Sequence, residues 1–263
     1  MTDEQTPRKP AGLNKALRLG FRAAYDSLGY VVAASFATFL VTAIVLTLMG
    51  LLSANVKQLH PAGMLLGLPA LLAAWLCAVG IFYYARKTIY HEAPAPADTL
   101  EGIRKLAGPA IALFVVDLLV SALLIGDLVF FLLAFRANGG LAFAALGIIS
   151  AYIALMWFLM SLYHLPLLVA QMDMDSGPRV LVILRKSFLI AADNPGFTVG
   201  LFVAIIAFAT LCALPAMIGM ALLFPGAAAY LLTCSLRELF IRYGLVEEEP
   251  EIVEDKPWKL PGK

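Results

Sequence analysis

Three ionisable side chains interrupt stretches that are otherwise too apolar to hold them. Asp117 and Asp127 lie in GPAIALFVVDLLVSALLIGDLVFFLLAF, the run 108–135, and His164 lies in a second run ending near Gln171. A bilayer core of about 30 Å is crossed by roughly 20 apolar residues in a helix, so either run is long enough to span. A carboxylate inside a span costs roughly 2.5–3.5 kcal/mol on insertion scales, and it therefore faces protein or water rather than lipid. Asp117 sits about 13 Å along the helix from Gly108, and His164 about 10 Å from Gln171, at about 1.5 Å per residue. On neighbouring antiparallel helices the two share one depth. An Asp–His pair there would relay protons or bind a solute; the alternative is a purely structural buried hydrogen bond. Asp127 is about 280° around the helix from Asp117 and about 15 Å farther along, so the two carboxylates cannot act together. It either marks a break after Gly126, facing an outward cavity, or lies where the span meets water.

Nothing else has the pattern of a catalytic or ligand-binding motif. There is no Walker loop, no Gly-x-Gly-x-x-Gly, no His-Glu-x-x-His and no nucleophile elbow. Cys77, Cys212 and Cys234 fall inside apolar runs without metal or disulfide spacing and read as small packing residues. No metal, cofactor or catalytic residue is expected, and the chain is expected not to be an enzyme.

The elements that must position Asp117 and His164 follow from composition. Hydrophobic residues make up 62% and charged residues 14% of the sequence, against about 45–50% and 25% in soluble domains. The apolar residues come in blocks, which points to an all-α polytopic membrane protein. Six spans are expected, at about 31–52, 63–85, 109–135, 141–171, 197–223 and 227–240, within a membrane domain 13–244. The fourth is expected to tilt or bend near Pro166, and Phe224-Pro225-Gly226 to form a turn. Residues 1–12 and the charged tail 245–263 are expected to be disordered. Leu13–Leu28 reads as a basic amphipathic helix, lying in the membrane interface or extending the first span. A similar basic segment covers 179–192, and a short helix is expected at Asp98-x-x-Glu101, which has capping-box spacing. Ser35, Thr38 and Thr42 share one face of the first span and read as helix-packing residues.

Of the 19 lysines and arginines, this topology puts all but Lys57 and Arg136 on one side, so the positive-inside rule places both termini in the cytoplasm. The basic residues are spread along that surface, which suits anionic lipid headgroups rather than nucleic acid. Each pair of spans follows a basic segment, giving a three-unit pseudo-repeat of parallel orientation. The first and third units align without a gap, Arg18 on Arg185, Phe21 on Phe188, Asp26 on Asp193 and Gly29 on Gly196. Asp26 and Asp193 are then expected to cap the turn into the following span.

The arrangement resembles the YesL-type family of uncharacterised bacterial membrane proteins. The residues that carry the resemblance are Gly67-Leu-Pro69-Ala70-Leu, Ile103-Arg104-Lys105, Arg185-Lys-Ser-Phe188 with Asn194-Pro195, Pro225-Gly226, and the final Arg237-Glu-Leu-Phe240-Ile-Arg242-Tyr-Gly. The membrane portion of glycerophosphodiester phosphodiesterases has a similar layout. The first resemblance implies a bacterial cytoplasmic-membrane protein serving as a non-enzymatic accessory to transport, such as carbohydrate uptake, assembled with a transporter permease or with itself. The competing expectation is a small-solute or ion transporter or channel using Asp117, His164 and Asp127. Neither resemblance transfers a catalytic residue. A protease-accessible tag at either terminus should be cleaved in inside-out vesicles and protected in intact spheroplasts; the reverse pattern would invert the topology.

Overall fold

The computed structural model describes residues 11–54, 67–173, 177–215 and 217–247, and all regular structure in these segments is helical. The expectations for the tails lie almost entirely outside them, as does the beginning of the second span. Five helices are long and apolar enough to cross a membrane: Leu28–Leu48, Gly67–Ile89, Ala97–Ala137, Leu141–Ala170 and Pro195–Ala213. The order is α1 (Leu13–Asp26), α2 (Leu28–Ala54), α3 (Gly67–Ile89), α4 (Ala97–Asn138), α5 (Leu141–Ser161), α6 (His164–Ala170), α7 (Val180–Asp193), α8 (Pro195–Ala213), α9 (Ile218–Leu222) and α10 (Phe224–Arg242).

The expected sixth span, 227–240, is α10, and it is not among the five. It is instead the buried centre of the bundle, in contact with α1, α2, α3, α6 and α8. Its small residues Gly226, Ala227, Ala228 and Ala229 are buried, with Thr233, Cys234 and Ser235 farther along. Ser35 Oγ accepts the Gly226 N–H at 2.9 Å and so joins α2 to α10. Thr38 and Thr42 turn back onto carbonyls of their own helix. The helix α1 lies along α10 through Ala16, Gly20 and Ala24, one small residue per turn. A Cβ added at Gly20 would come within 2.9 Å of the Leu231 Cα, the close approach that small residues permit.

The separate helix expected at Asp98 is absent, because α4 runs unbroken from Ala97 to Asn138. Its 42 residues extend about 63 Å. Pro109 lies inside it and removes one backbone donor, which usually kinks or ends a helix. Packing against α3 on both sides of the proline holds α4 together. Before it, Gly80 and Gly102 bring the helices so close that a Cβ would meet Thr99 O at 2.6 Å or Tyr83 Cβ at 2.5 Å. After it, Trp75 donates its indole N–H to Ala110 O at 3.1 Å.

Two other proline expectations shift. The fourth span breaks at Leu162-Tyr163, slightly before Pro166, which sits in the first turn of α6, where a missing N–H costs least. The fifth ends at Ala213 rather than 223, ahead of Pro215, and Met217 adopts a left-handed conformation before α9. Phe224 and Pro225 are not a turn but open α10.

The distal half of α4 packs along α5 as an apolar hairpin turned at Gly139, whose φ of 62° suits glycine. Leu119, Leu123, Phe130, Leu133, Ile148 and Ile149 are exposed on it, a surface that lipid would cover. The boundaries of α1 and α7 match at the offset of 167 seen in the sequence, and α2 and α8 begin at matching positions. Gly20→Leu should lower the temperature at which the purified protein loses its monodisperse elution peak. Gly108→Ala, where an added Cβ meets nothing within 4 Å, should lower it little or not at all.

Candidate functional site

Asp117 and His164 meet. His164 Nδ1 lies 2.9 Å from Asp117 Oδ1 and 3.1 Å from Oδ2. The pairing follows from one break in a helix and one continuation just described. Because α5 ends at Ser161, His164 becomes the first residue of α6 and turns inward, where it is fully buried. Because α4 continues through Pro109, Asp117 is carried up to the same level. The Trp157 ring meets the imidazole edge-on, with centroids 5.5 Å apart. The His164 Nε2 atom is buried without a hydrogen-bond partner among the described residues, which hold the ring by its other nitrogen.

Asp117 keeps 14% of its side chain accessible, and what it faces is a pocket of about 470 Å³, within the usual range of about 300–1,000 Å³ for small-molecule sites. Aromatic groups from three helices stand in the wall, Trp75 and Phe82 from α3, Trp157 and Phe158 from α5, and Phe224 from α10, and Asp117 and Ser121 from α4 line it with them. Both tryptophans have their N–H satisfied, Trp75 by Ala110 O and Trp157 by Ser121 Oγ at 3.0 Å. That fixes the rings and turns their faces and edges, rather than unmet donors, toward whatever enters. Among the described residues, Asp117 is the one charged group in the lining.

Asp127 takes no part. It is partly exposed on the hairpin, remote from the pocket lining, and α4 does not break at Gly126. Of the two readings given for Asp127, the break after Gly126 does not occur. The four capping assignments also change. Helix α4 starts at Ala97, and its boundary residue Pro96 makes no side-chain cap. The Asp98 carboxylate instead reaches back to the Ala95 N–H at 2.7 Å and binds Lys87 Nζ at 2.9 Å. Glu101 pairs with Lys105 one turn on. Asp26 pairs across one turn with Arg22.

Asp193 is the last residue of α7, and α8 has no side-chain cap. Its carboxylate accepts from the Tyr243 hydroxyl at 2.6 Å. Asn194 donates to that same hydroxyl, also at 2.6 Å, and accepts from Arg242. These groups clamp the α7–α8 corner to the end of α10. Burial, and then the hydrogen bond to Asp193, raise the Tyr243 pKa above its ordinary value, so the hydroxyl remains a donor.

The tryptophans are what sequence reasoning missed. Two of the chain's three tryptophans fall well inside apolar runs rather than at their ends, where interfacial rings gather. That position was the available signal. The nearby Cys77, Cys212 and Cys234 are free thiols, and no group of three His, Cys, Asp or Glu residues suited to a metal occurs among the described residues.

No protein-family model matches the sequence, and comparisons with curated proteins and with solved structures found no match either. The resemblance to the YesL-type family rests on the quoted motifs alone. A double-mutant cycle with Asp117→Asn and His164→Gln should show a coupling of about 0.5–3 kcal/mol in thermal or denaturant stability. Strict additivity would mean that the pair does not interact in the folded protein.

Proposed function

We propose that this chain is a membrane transporter of small solutes whose Asp117–His164 pair binds the solute and exchanges protons with it. The observation that carries this reading is the placement of the pair. A carboxylate on the wall of a largely apolar pocket is in contact with an imidazole buried behind it. Retaining such a pair among apolar helices is costly, which makes it a functional candidate by default. A protein acting only as a scaffold has no evident need of it.

On this reading α10 is the sixth crossing, shielded inside the bundle, with both termini on the cytoplasmic side of a bacterial inner membrane. The distribution of lysine and arginine supports the orientation, and anionic headgroups would lie against that side. The three-unit repeat is part of the proposal. Its support, beyond the matching boundaries of α1 and α7, is a cyclic packing pattern. The leading helix of each unit lies on the second span of the unit before it: α1 on α10, the start of α4 on α3, and α7 on α5. A small buried or closely packed residue stands in each leading helix, Gly20, Gly102 and Ser187.

The second reading is the accessory module implied by the YesL resemblance. It draws on the exposed apolar face of the α4–α5 hairpin, which a transporter permease or a second copy could cover. Proton movement in proteoliposomes separates the two. Vesicles holding an internal pH dye and challenged with small amines, sugars and amphiphiles should show solute-driven proton fluxes that Asp117→Asn abolishes while its elution profile stays unchanged. Equal fluxes with the variant would overturn the transport reading, and stoichiometric co-purification of a permease without any flux would favour the accessory one.

A further inference from the structure

Two features of the pocket narrow the solute further. The first is its charge. The His164 ring makes a single polar contact, through Nδ1, to a carboxylate. With a neutral imidazole donating Nδ1–H to an ionised Asp117, the pair carries one net negative charge. One added proton, on the carboxylate or on Nε2, brings it to zero. The second is its wall, which carries aromatic rings: Trp75 and Trp157 are locked by hydrogen bonds through their indole N–H groups, and Phe82, Phe158 and Phe224 join them among aliphatic, small and hydroxyl side chains. Aromatic faces attract cations, tryptophan most strongly, and an apolar wall rejects a compact, strongly hydrated ion, which would have to give up its water.

From these features, and resting on the transport reading above, we infer that the ligand is a hydrophobic organic cation, bulky and with its charge spread or shielded by carbon. Cation and proton compete for the one negative charge of the Asp117–His164 pair, so binding one releases the other and no further chemistry is required.

Neighbouring titratable groups do not supply a second charge at this point. On α4, Lys105 pairs with Glu101, and Asp127 is remote. Tyr163 is bonded to Thr198, and Tyr230 to Thr88. The charged residues of α3 and α10 that lie nearest the basic surface, Arg86, Lys87, Arg237, Glu238 and Arg242, are outside the pocket lining, and α5 carries none. The face that α7 buries is Ile183, Ser187, Ile190 and Ala191, and the thiols Cys77 and Cys234 are likewise outside the lining.

The test uses the full chain in detergent and two probes of similar size, methyltriphenylphosphonium and neutral triphenylphosphine oxide, followed by tryptophan fluorescence. The cation should bind saturably, with affinity falling about tenfold per pH unit once the pair takes up its proton. The neutral probe should bind at least tenfold more weakly and without pH dependence. Asp117→Asn should weaken the cation at least tenfold. Ala78→Trp, a filling substitution at a lining position outside the pair, should abolish binding while the elution profile stays that of the wild type, which keeps the test independent of the Asp117 variant. Equal, pH-independent binding of both probes, blocked by Ala78→Trp, would overturn the cation assignment and leave the pocket reading intact. Binding of neither probe to the folded wild-type protein would also overturn it, and the Asp117-dependent proton fluxes above would then judge the transport reading by themselves.

Discussion

The contact between the Asp117 carboxylate and His164 Nδ1 is the constraint around which the rest of this bundle makes sense. Neither group is tolerable alone in such surroundings. A buried charge without a partner typically costs several kcal/mol, and removing one member of a buried pair costs about 3–5 kcal/mol. Meeting requires that α4 remain straight past Pro109 and that the fourth apolar run break just before His164. Both conditions are met by packing: glycine contacts and the Trp75 hydrogen bond on one side, and a proline seated in a first helical turn on the other.

The same contact divides α4 into two parts with different surroundings. Toward its N-terminus it lies against α3, with buried Leu106, Ala110 and Leu113. Beyond Asp117 it runs about 32 Å to Asn138, where, among the described residues, its main neighbour is α5. That distance is about the thickness of a hydrocarbon core, so the hairpin is a membrane-length pair standing on the polar contact at its base. A cavity lined by aromatic rings opens beside that base, and the ionisable group that faces it is the less buried member of the pair.

Much of this was legible in the sequence, for identifiable reasons. Block hydrophobicity gave the helical membrane class, because 20 or so consecutive apolar residues have few alternatives. The meeting of Asp117 and His164 followed from counting rise along two antiparallel runs, a quantity that helix geometry makes reliable. What failed were inferences about helix ends. Asp26, Asp98, Glu101 and Asp193 all had plausible capping positions, yet each carboxylate is taken by a side chain or an N–H elsewhere, since tertiary partners such as Tyr243 and Lys87 cannot be seen locally. Proline was equally ambiguous: Pro109 is carried inside a helix, Pro225 opens one, and Pro215 follows the end of one. The apolar character of α10 looked like an ordinary span until its place at the centre of the bundle was known. The pocket could not be read at all, because its aromatic wall comes from residues far apart in sequence.

The most direct measurement is the ¹⁵N resonance of the His164 ring, followed across pH with and without methyltriphenylphosphonium in the selectively labelled protein. The account expects a neutral ring protonated on Nδ1 at high pH, one proton taken up by the pair as pH falls, and a shift of that titration to lower pH when the cation is present. A ring that stays doubly protonated across the whole range, or a titration unmoved by saturating cation, would contradict it.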